Sequence, residues 1–110
     1  MNQATDDFIS VLPLADLPPG SGRTVDINGI WIALYNVDGT LYAIDNACPH
    51  AGGPLGEGKC VDGIVECPWH GWKFDVRTGQ RVKNPNFTVA CCDVRVQDGQ
   101  IQIKLPAELR

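Results

Sequence analysis

Both histidines of the chain close a short pair with a cysteine: Cys48-Pro49-His50 and Cys67-Pro68-Trp69-His70. Sixteen residues separate the two pairs. Two thiolates and two imidazoles on two short loops make a complete four-ligand set. The pattern C-x-H followed by C-x-x-H is the one expected when one iron of a [2Fe–2S] cluster takes two Cys and the other takes two His. A structural zinc ion also takes two Cys and two His. Its usual order keeps the thiols together and the histidines together, with at least two residues inside each pair. In this chain the types are mixed within each pair, and the first pair has a single intervening residue. A c-type haem would need C-x-x-C-H, which is absent. The bland alternative is two core cysteines near two surface histidines. The iron–sulfur reading takes precedence, with Cys48, His50, Cys67 and His70 as the metal and cofactor ligands. A zinc-stabilised interaction module stays open behind it.

The residues around these ligands suit tight loops. Pro49 and Pro68 fix φ beside a ligand and remove donors that would need partners. Gly52, Gly53 and Gly71 permit positive φ or close backbone approach. Backbone N–H groups in such loops can point at sulfur and stabilise added negative charge. Trp69 sits between two candidate ligands, where its ring would exclude water or offer a contact surface. Trp72 and Phe74 are two apart and share one face of the strand that leaves the second loop. Trp31 reads as plain core.

The elements that must hold these loops are strands. Asn28-Gly29, Asp38-Gly39, Asp62-Gly63, Thr78-Gly79 and Asp98-Gly99 are hairpin turn signals. Ile30 to Val37 (IWIALYNV) is apolar enough for a strand buried on both faces, and Thr40 to Asp45 returns from its turn. Cys92, Val94 and Val96 alternate with polar residues, as do Ile101 and Ile103 after the last turn. No segment has a helical period, and Ala15-Asp16-Leu17 before Pro18-Pro19 makes a short turn at most. The expected class is all-β and antiparallel.

The 110 residues are expected to form a single domain, 1–110, burying about 65% of the unfolded surface. The N-terminal MNQATDDFIS carries acids and no long apolar run, so neither secretion signal nor membrane anchor is expected, and the chain is placed in the cytoplasm. A net charge of −4 disfavours nucleic acid and anionic membrane as partners. Cys60, Cys91 and Cys92 bring the cysteines to an odd total, which argues against a disulfide framework. They read as small hydrophobes, with at most one of Cys91 and Cys92 facing the core.

The stretch from Asn46 through Cys48, Pro49, His50, Gly52, Gly53, Pro54 and Leu55 resembles the Rieske family. So does the stretch from Val65 through Cys67, Pro68, His70, Gly71, Phe74 and Asp75. The resemblance covers about Leu14 to Leu105. It implies an antiparallel β-sandwich or barrel with two cluster-binding loops and one [2Fe–2S] cluster. Cys48 and Cys67 would bind the inner iron. His50 and His70 would bind the outer iron through Nδ1, with Nε2 towards solvent. Pro85 would sit in a third loop over the cluster, unless it is an ordinary turn proline.

The chain departs from the quinol-oxidising branch of that family. The branch has one extra Cys per loop, joined as a disulfide; Gly53 and Trp69 stand at those positions. It also has a Ser and a Tyr whose hydroxyls hydrogen-bond to sulfur; Trp72 and Phe74 stand there. Loss of those donors should lower the potential. The resemblance therefore implies a one-electron carrier between a flavin-dependent reductase and a terminal oxygenase. An oxygenase needs a further iron, commonly held by two His and a carboxylate, and no histidine remains for one. No catalytic residue is assigned, and the polypeptide alone should not oxidise a substrate. The alternative is the small subunit of an assimilatory NAD(P)H nitrite reductase, partnered by that enzyme's large subunit. Many members of that subfamily lack the ligands, whereas all four are present in this chain.

Overall fold

The computed structural model describes residues 7–49, 52–69 and 71–109. Among the described residues nine strands form in chain order: β1 (Ile9–Pro13), β2 (Gly22–Ile27), β3 (Ile30–Val37), β4 (Thr40–Asp45), β5 (Lys59–Val61), β6 (Ile64–Glu66), β7 (Lys73–Asp75), β8 (Cys91–Gln97) and β9 (Gln100–Lys104). All pairings are antiparallel. Six strands make one sheet in the order β1-β9-β8-β4-β3-β2, and three make a second in the order β5-β6-β7. The outermost strands of the large sheet, β1 and β2, come back into contact, so that sheet curls toward a barrel. Among the described residues helix is confined to short 3₁₀ turns, including Leu14–Asp16 and Leu55–Glu57. No helix among the described residues is long and apolar enough to cross a membrane.

Turn chemistry sets the hairpins. Asn28, Asp38, Asp62 and Asp98 have φ between 52° and 54°, and the glycine after each also has positive φ. Two consecutive positive φ values define the two-residue turn whose twist matches the flanking strands. These four turns join β2–β3, β3–β4, β5–β6 and β8–β9. Thr78-Gly79 differs. Only Gly79 has positive φ, and it donates its N–H to Asp75 O at 2.8 Å. The side chain of Asp75 accepts from Arg77 N at 2.9 Å, which makes a wider loop.

Strand β3 separates two cores, because successive side chains point to opposite faces. Ile32 and Leu34 face the curled interior with Leu12, Leu17, Ile27, Ala43, Ile101 and Ile103. Ala33 and Tyr35 face the small sheet with Ile44, Leu55, Val65, Phe74 and Val76. The run Ile32–Asn36 is buried throughout, as its composition predicts. Asn36 is the one polar member, and both ends of its amide are bonded. Its Nδ2 donates to Leu17 O and its Oδ1 accepts from Gly39 N, each at 2.8 Å. Trp31 departs from the expectation of plain core: it is 56% exposed. It shares the face of Ala33 and Tyr35 but lies at the end of β3, beyond the cover of the small sheet.

Candidate metal centre

The two cysteine loops share one backbone scaffold. Cys48 N–H donates to Gly53 O at 3.0 Å, and Cys48 O accepts from Gly52 N at 2.7 Å. Cys67 N–H donates to Trp72 O at 2.7 Å, and Cys67 O accepts from Gly71 N at 3.0 Å. Gly52 and Gly71 have φ of 74° and 75°. Each loop thus starts at a cysteine and closes at a left-handed glycine four residues on, where any other residue type would be strained. The repeat Cys-x-x-x-Gly is visible in the sequence, hidden by the unequal Cys-to-His spacings. His50 and His70 lie outside the described residues.

Each loop is tied to a different part of the scaffold. The first leaves β4 and returns against β3. Leu55 N–H donates to Asn46 O at 2.8 Å, and the Asn46 side chain accepts from Gly56 N at 2.6 Å. The Tyr35 hydroxyl donates to Leu55 O at 2.8 Å from beneath. Sequence reasoning passed over Tyr35 and named Asn46 only as the start of the family-like stretch, since their value lies in partners nine or more residues away. Burial raises the Tyr35 hydroxyl well above its ordinary pKa, with Cys60 adding to the shift, so it stays a neutral donor. The second loop joins β6 to β7, where Glu66 stands in register with Lys73.

A third loop follows β7. Val82 N–H donates to Lys73 O, and Arg81 N–H donates to Phe87 O, both at 2.8 Å. Pro85 occupies the tip turn, where Asn84 accepts from Phe87 N through its carbonyl and from Asn86 N through its side chain. The ring that joins this loop to the second one is Phe87, whose centroid lies 5.2 Å from that of Trp72 at a T-shaped angle. Trp72 and Phe74 do share a face, with centroids 6.4 Å apart.

Cys48 and Cys67 are each 2% exposed, lie in the same core cluster and belong to no disulfide. Gly53 links them. Its carbonyl accepts from Cys48 N–H, and a Cβ at residue 53 would lie 2.5 Å from Cys67 Sγ. Two buried thiols on twin loops, with a bare glycine against one sulfur, fit the sulfur half of a Cys₂His₂ cluster site. The other three cysteines sit on strands, outside both loops. Cys60 packs on the core beneath the small sheet, Cys92 packs against the curled interior, and Cys91 is exposed. Burial pushes all three thiols up, Cys92 to about 12, which keeps them protonated.

Known proteins resemble the chain on this frame. Residues 7–101 match the Rieske [2Fe-2S] domain family. The ferredoxin component of naphthalene 1,2-dioxygenase/salicylate 5-hydroxylase systems from a Ralstonia species is 33% identical, covering 92% of this chain and 98% of that one. The ferredoxin of carbazole 1,9a-dioxygenase from Nocardioides aromaticivorans superposes with a TM-score of 0.84 at 30% identity, covering 92% and all of the two chains. A Mycobacterium tuberculosis protein described as an NADH-dependent nitrite reductase small subunit superposes with a TM-score of 0.83 at 26% identity, covering 91% and 96%. With its twin cysteine loops set on this β scaffold, the chain belongs to the Rieske [2Fe–2S] domain family and takes that family's single cluster as its cofactor.

Proposed function

We propose that Cys48 and Cys67 ligate one iron of the cluster and His50 and His70 the other. On this reading the chain carries single electrons from a flavin-dependent reductase to a terminal oxygenase. The observation that carries it is the pair of twin loops, each opening on a buried cysteine that the sequence follows with a histidine two or three residues later. The cluster, when bound, supplies one-electron storage. The chain's own part is to hold it, exclude water with the surrounding core, and present its outer edge. Similarity to the Ralstonia ferredoxin component supports an oxygenase as the recipient. A reducing compartment suits cysteines held outside disulfides, which supports the cytoplasm.

The test is reconstitution. Anaerobically purified protein should hold about two irons and two acid-labile sulfides per chain. It should accept one electron from an NADH-driven flavin reductase and lose it to a ring-hydroxylating oxygenase. Zinc without iron would sink the ligand assignment. The likeness to the Mycobacterium tuberculosis protein favours a second reading, the small subunit of a nitrite reductase. Co-purification with a large sirohaem subunit would select that reading.

A further inference from the structure

Arg81 Nε is buried and has no hydrogen-bond partner among the described residues. An unpaired buried N–H of a cation is costly, so other forces must hold it there. Backbone pairing fixes the residue first. Arg81 stands opposite Phe74, between the bonds from Asp75 N to Gln80 O and from Val82 N to Lys73 O. Its own N–H donates to Phe87 O at 2.8 Å. Residues opposed in this way put their side chains on one face. Phe74 is fully buried in the core cluster that holds Cys48 and Cys67. The Arg81 guanidinium carbon lies 3.4 Å from the Trp72 ring centroid and 5.9 Å from that of Phe87. A cation over an aromatic face is attracted by the ring quadrupole, more strongly once water is removed.

Trp72 joins that charge to the second cysteine loop. Its carbonyl accepts from Cys67 N–H at 2.7 Å. One aromatic residue therefore separates the guanidinium from a buried thiol of the site. Trp72 also stands where the quinol-oxidising branch has a hydroxyl donor to sulfur. In this chain an indole with a cation seated on it takes that donor's place.

Reduction changes the charge of the site. Two ferric ions, two sulfides and two thiolates sum to zero, and neutral imidazoles add nothing, so the oxidised centre is neutral. One added electron leaves a single negative charge. A fixed cation nearby acts on the reduced state and hardly on the oxidised one, which raises the potential. Other charges lie close as well. Glu66, Lys73 and Lys83 line the groove beside Arg81 and are exposed, as is Glu57. Asp75 pairs with Arg77 at 3.4 Å, and Asp45 accepts from Ala47 N. Exposed charges of both signs are screened by water and salt, whereas a partly buried charge is screened much less. Arg81 differs from the lysines beside it in its withdrawal from water.

We infer that Arg81 tunes the iron–sulfur centre: its guanidinium, seated on Trp72 with Nε out of contact with water, stabilises the reduced state and recovers part of the potential lost with the missing hydroxyl donors. The inference rests on the electron-carrier reading and adds the residue that adjusts its driving force.

Redox titration of the iron-loaded chain tests it. A unit charge about 12 Å from the added electron, at an effective dielectric of about 20, alters the reduction equilibrium about tenfold. Arg81→Gln keeps a planar polar group on Trp72 without the charge. It should lower the midpoint by roughly that tenfold change, about 59 mV for one electron. Arg81→Met, also neutral, should do the same and serves if the glutamine variant loses iron. Arg81→Lys keeps the charge and should lose less than about half of the effect. Lys83→Gln removes an equal charge from an exposed side chain of the same groove. At about 0.2 M salt it should change the equilibrium less than about twofold, while the Arg81→Gln shift persists. Iron per chain and the EPR g values of the same samples report whether the centre is intact. A neutral variant whose midpoint equals that of wild type, Arg81→Lys or Lys83→Gln overturns the inference. So does loss of iron from both neutral variants, which would make Arg81 scaffold alone. Either result leaves the carrier reading standing. Iron-loaded wild type that takes up no electron reversibly would overturn the carrier reading, and the inference with it.

Discussion

Gly53 of the first cysteine loop lies directly against Trp69 of the second. A Cβ at residue 53 would come 3.1 Å from Trp69 Cγ and 2.5 Å from Cys67 Sγ. These are the positions at which the quinol-oxidising branch joins its loops by a disulfide. In this chain a bare glycine under an indole takes the place of that bridge. Gly53 has no positive φ, so space alone demands glycine there. Gly53→Ala should displace the Cys67 side or the Trp69 ring at a cost of roughly 1–3 kcal/mol, and iron per chain should fall. Gly52→Ala meets nothing within 4 Å but sits at φ 74°, so it should cost about 1 kcal/mol through the backbone. Iron analysis beside urea unfolding of both variants separates the two causes. Equal iron retention would deny the contact its importance.

The ligand assignment predicts a sharp division among the metal-binding residue types. His50→Ala and His70→Ala should abolish stable cluster assembly, as should Cys48→Ser and Cys67→Ser. Cys60→Ser, Cys91→Ser and Cys92→Ser should keep full iron content, since these residues sit on β5 and β8 and belong to neither loop. A Cys60 variant that lost its iron while a His50 variant kept it would mean that the wrong residues have been chosen.

Tyr35 supplies a prediction about stability and pH. Its hydroxyl is buried and donates to Leu55 O, just past the first loop. Tyr35→Phe removes one of two donors to that carbonyl, which keeps Gly58 N–H at 2.9 Å, and should cost about 0.5–1.5 kcal/mol. Burial raises the folded pKa of this hydroxyl, and the Cys60 interaction raises it further. The unfolded chain releases the same proton near pH 10. The stabilising effect is therefore complete below about pH 10 and is lost as pH climbs above it, because only the unfolded state ionises. Wild-type stability should fall more steeply than that of Tyr35→Phe between about pH 10 and 11.5 in chemical denaturation. Parallel curves would exclude a role for this hydroxyl.

The potential should lie low for a Rieske centre. Two neutral imidazoles in place of two thiolates set such centres within about −150 to +300 mV. Trp72 and Phe74 offer no hydroxyl to the sulfurs, which places this one near the lower limit, roughly −150 mV. Phe74 is fully buried in the cluster of side chains that holds Cys48 and Cys67. Phe74→Tyr should raise the midpoint if its hydroxyl reaches a sulfur. A wild-type midpoint above about +100 mV in redox titration would refute the argument from the missing donors.

Cys92 should resist alkylation. Burial, then the charges of Cys91, Asp45, Asp93 and Glu108, push its thiol to about 12. At pH 8 only roughly one molecule in ten thousand carries the reactive thiolate. Iodoacetamide should therefore modify exposed Cys91 first, with Cys92 following about tenfold faster for each added pH unit. Peptide mapping that finds Cys92 modified ahead of Cys91 at pH 8 would contradict this placement.

Local chemistry is what made much of the fold readable. Asn28, Asp38, Asp62 and Asp98, each before a glycine, announce turns that need positive φ, and all four adopt it. The apolar run in β3 announces burial on both faces. Trp31 was misleading because hydrophobicity does not say where a covering sheet stops. The bonds of Tyr35 and Asn46 to the first loop were out of reach for the same kind of reason, since each depends on a partner distant in sequence.

The amino-acid sequence by itself determined the donor types, their Cys-to-His spacing and the turns that force antiparallel strands, because these follow from side-chain chemistry and backbone sterics within a few residues. Only the tertiary structure decided that Gly53 would press against Cys67 and Trp69, and that Arg81 would stack on Trp72 beside Lys73 and Lys83. Those contacts arise when two sheets pack and three loops meet at one end of the molecule. That meeting is governed by the burial of the shared core around Tyr35 and Phe74.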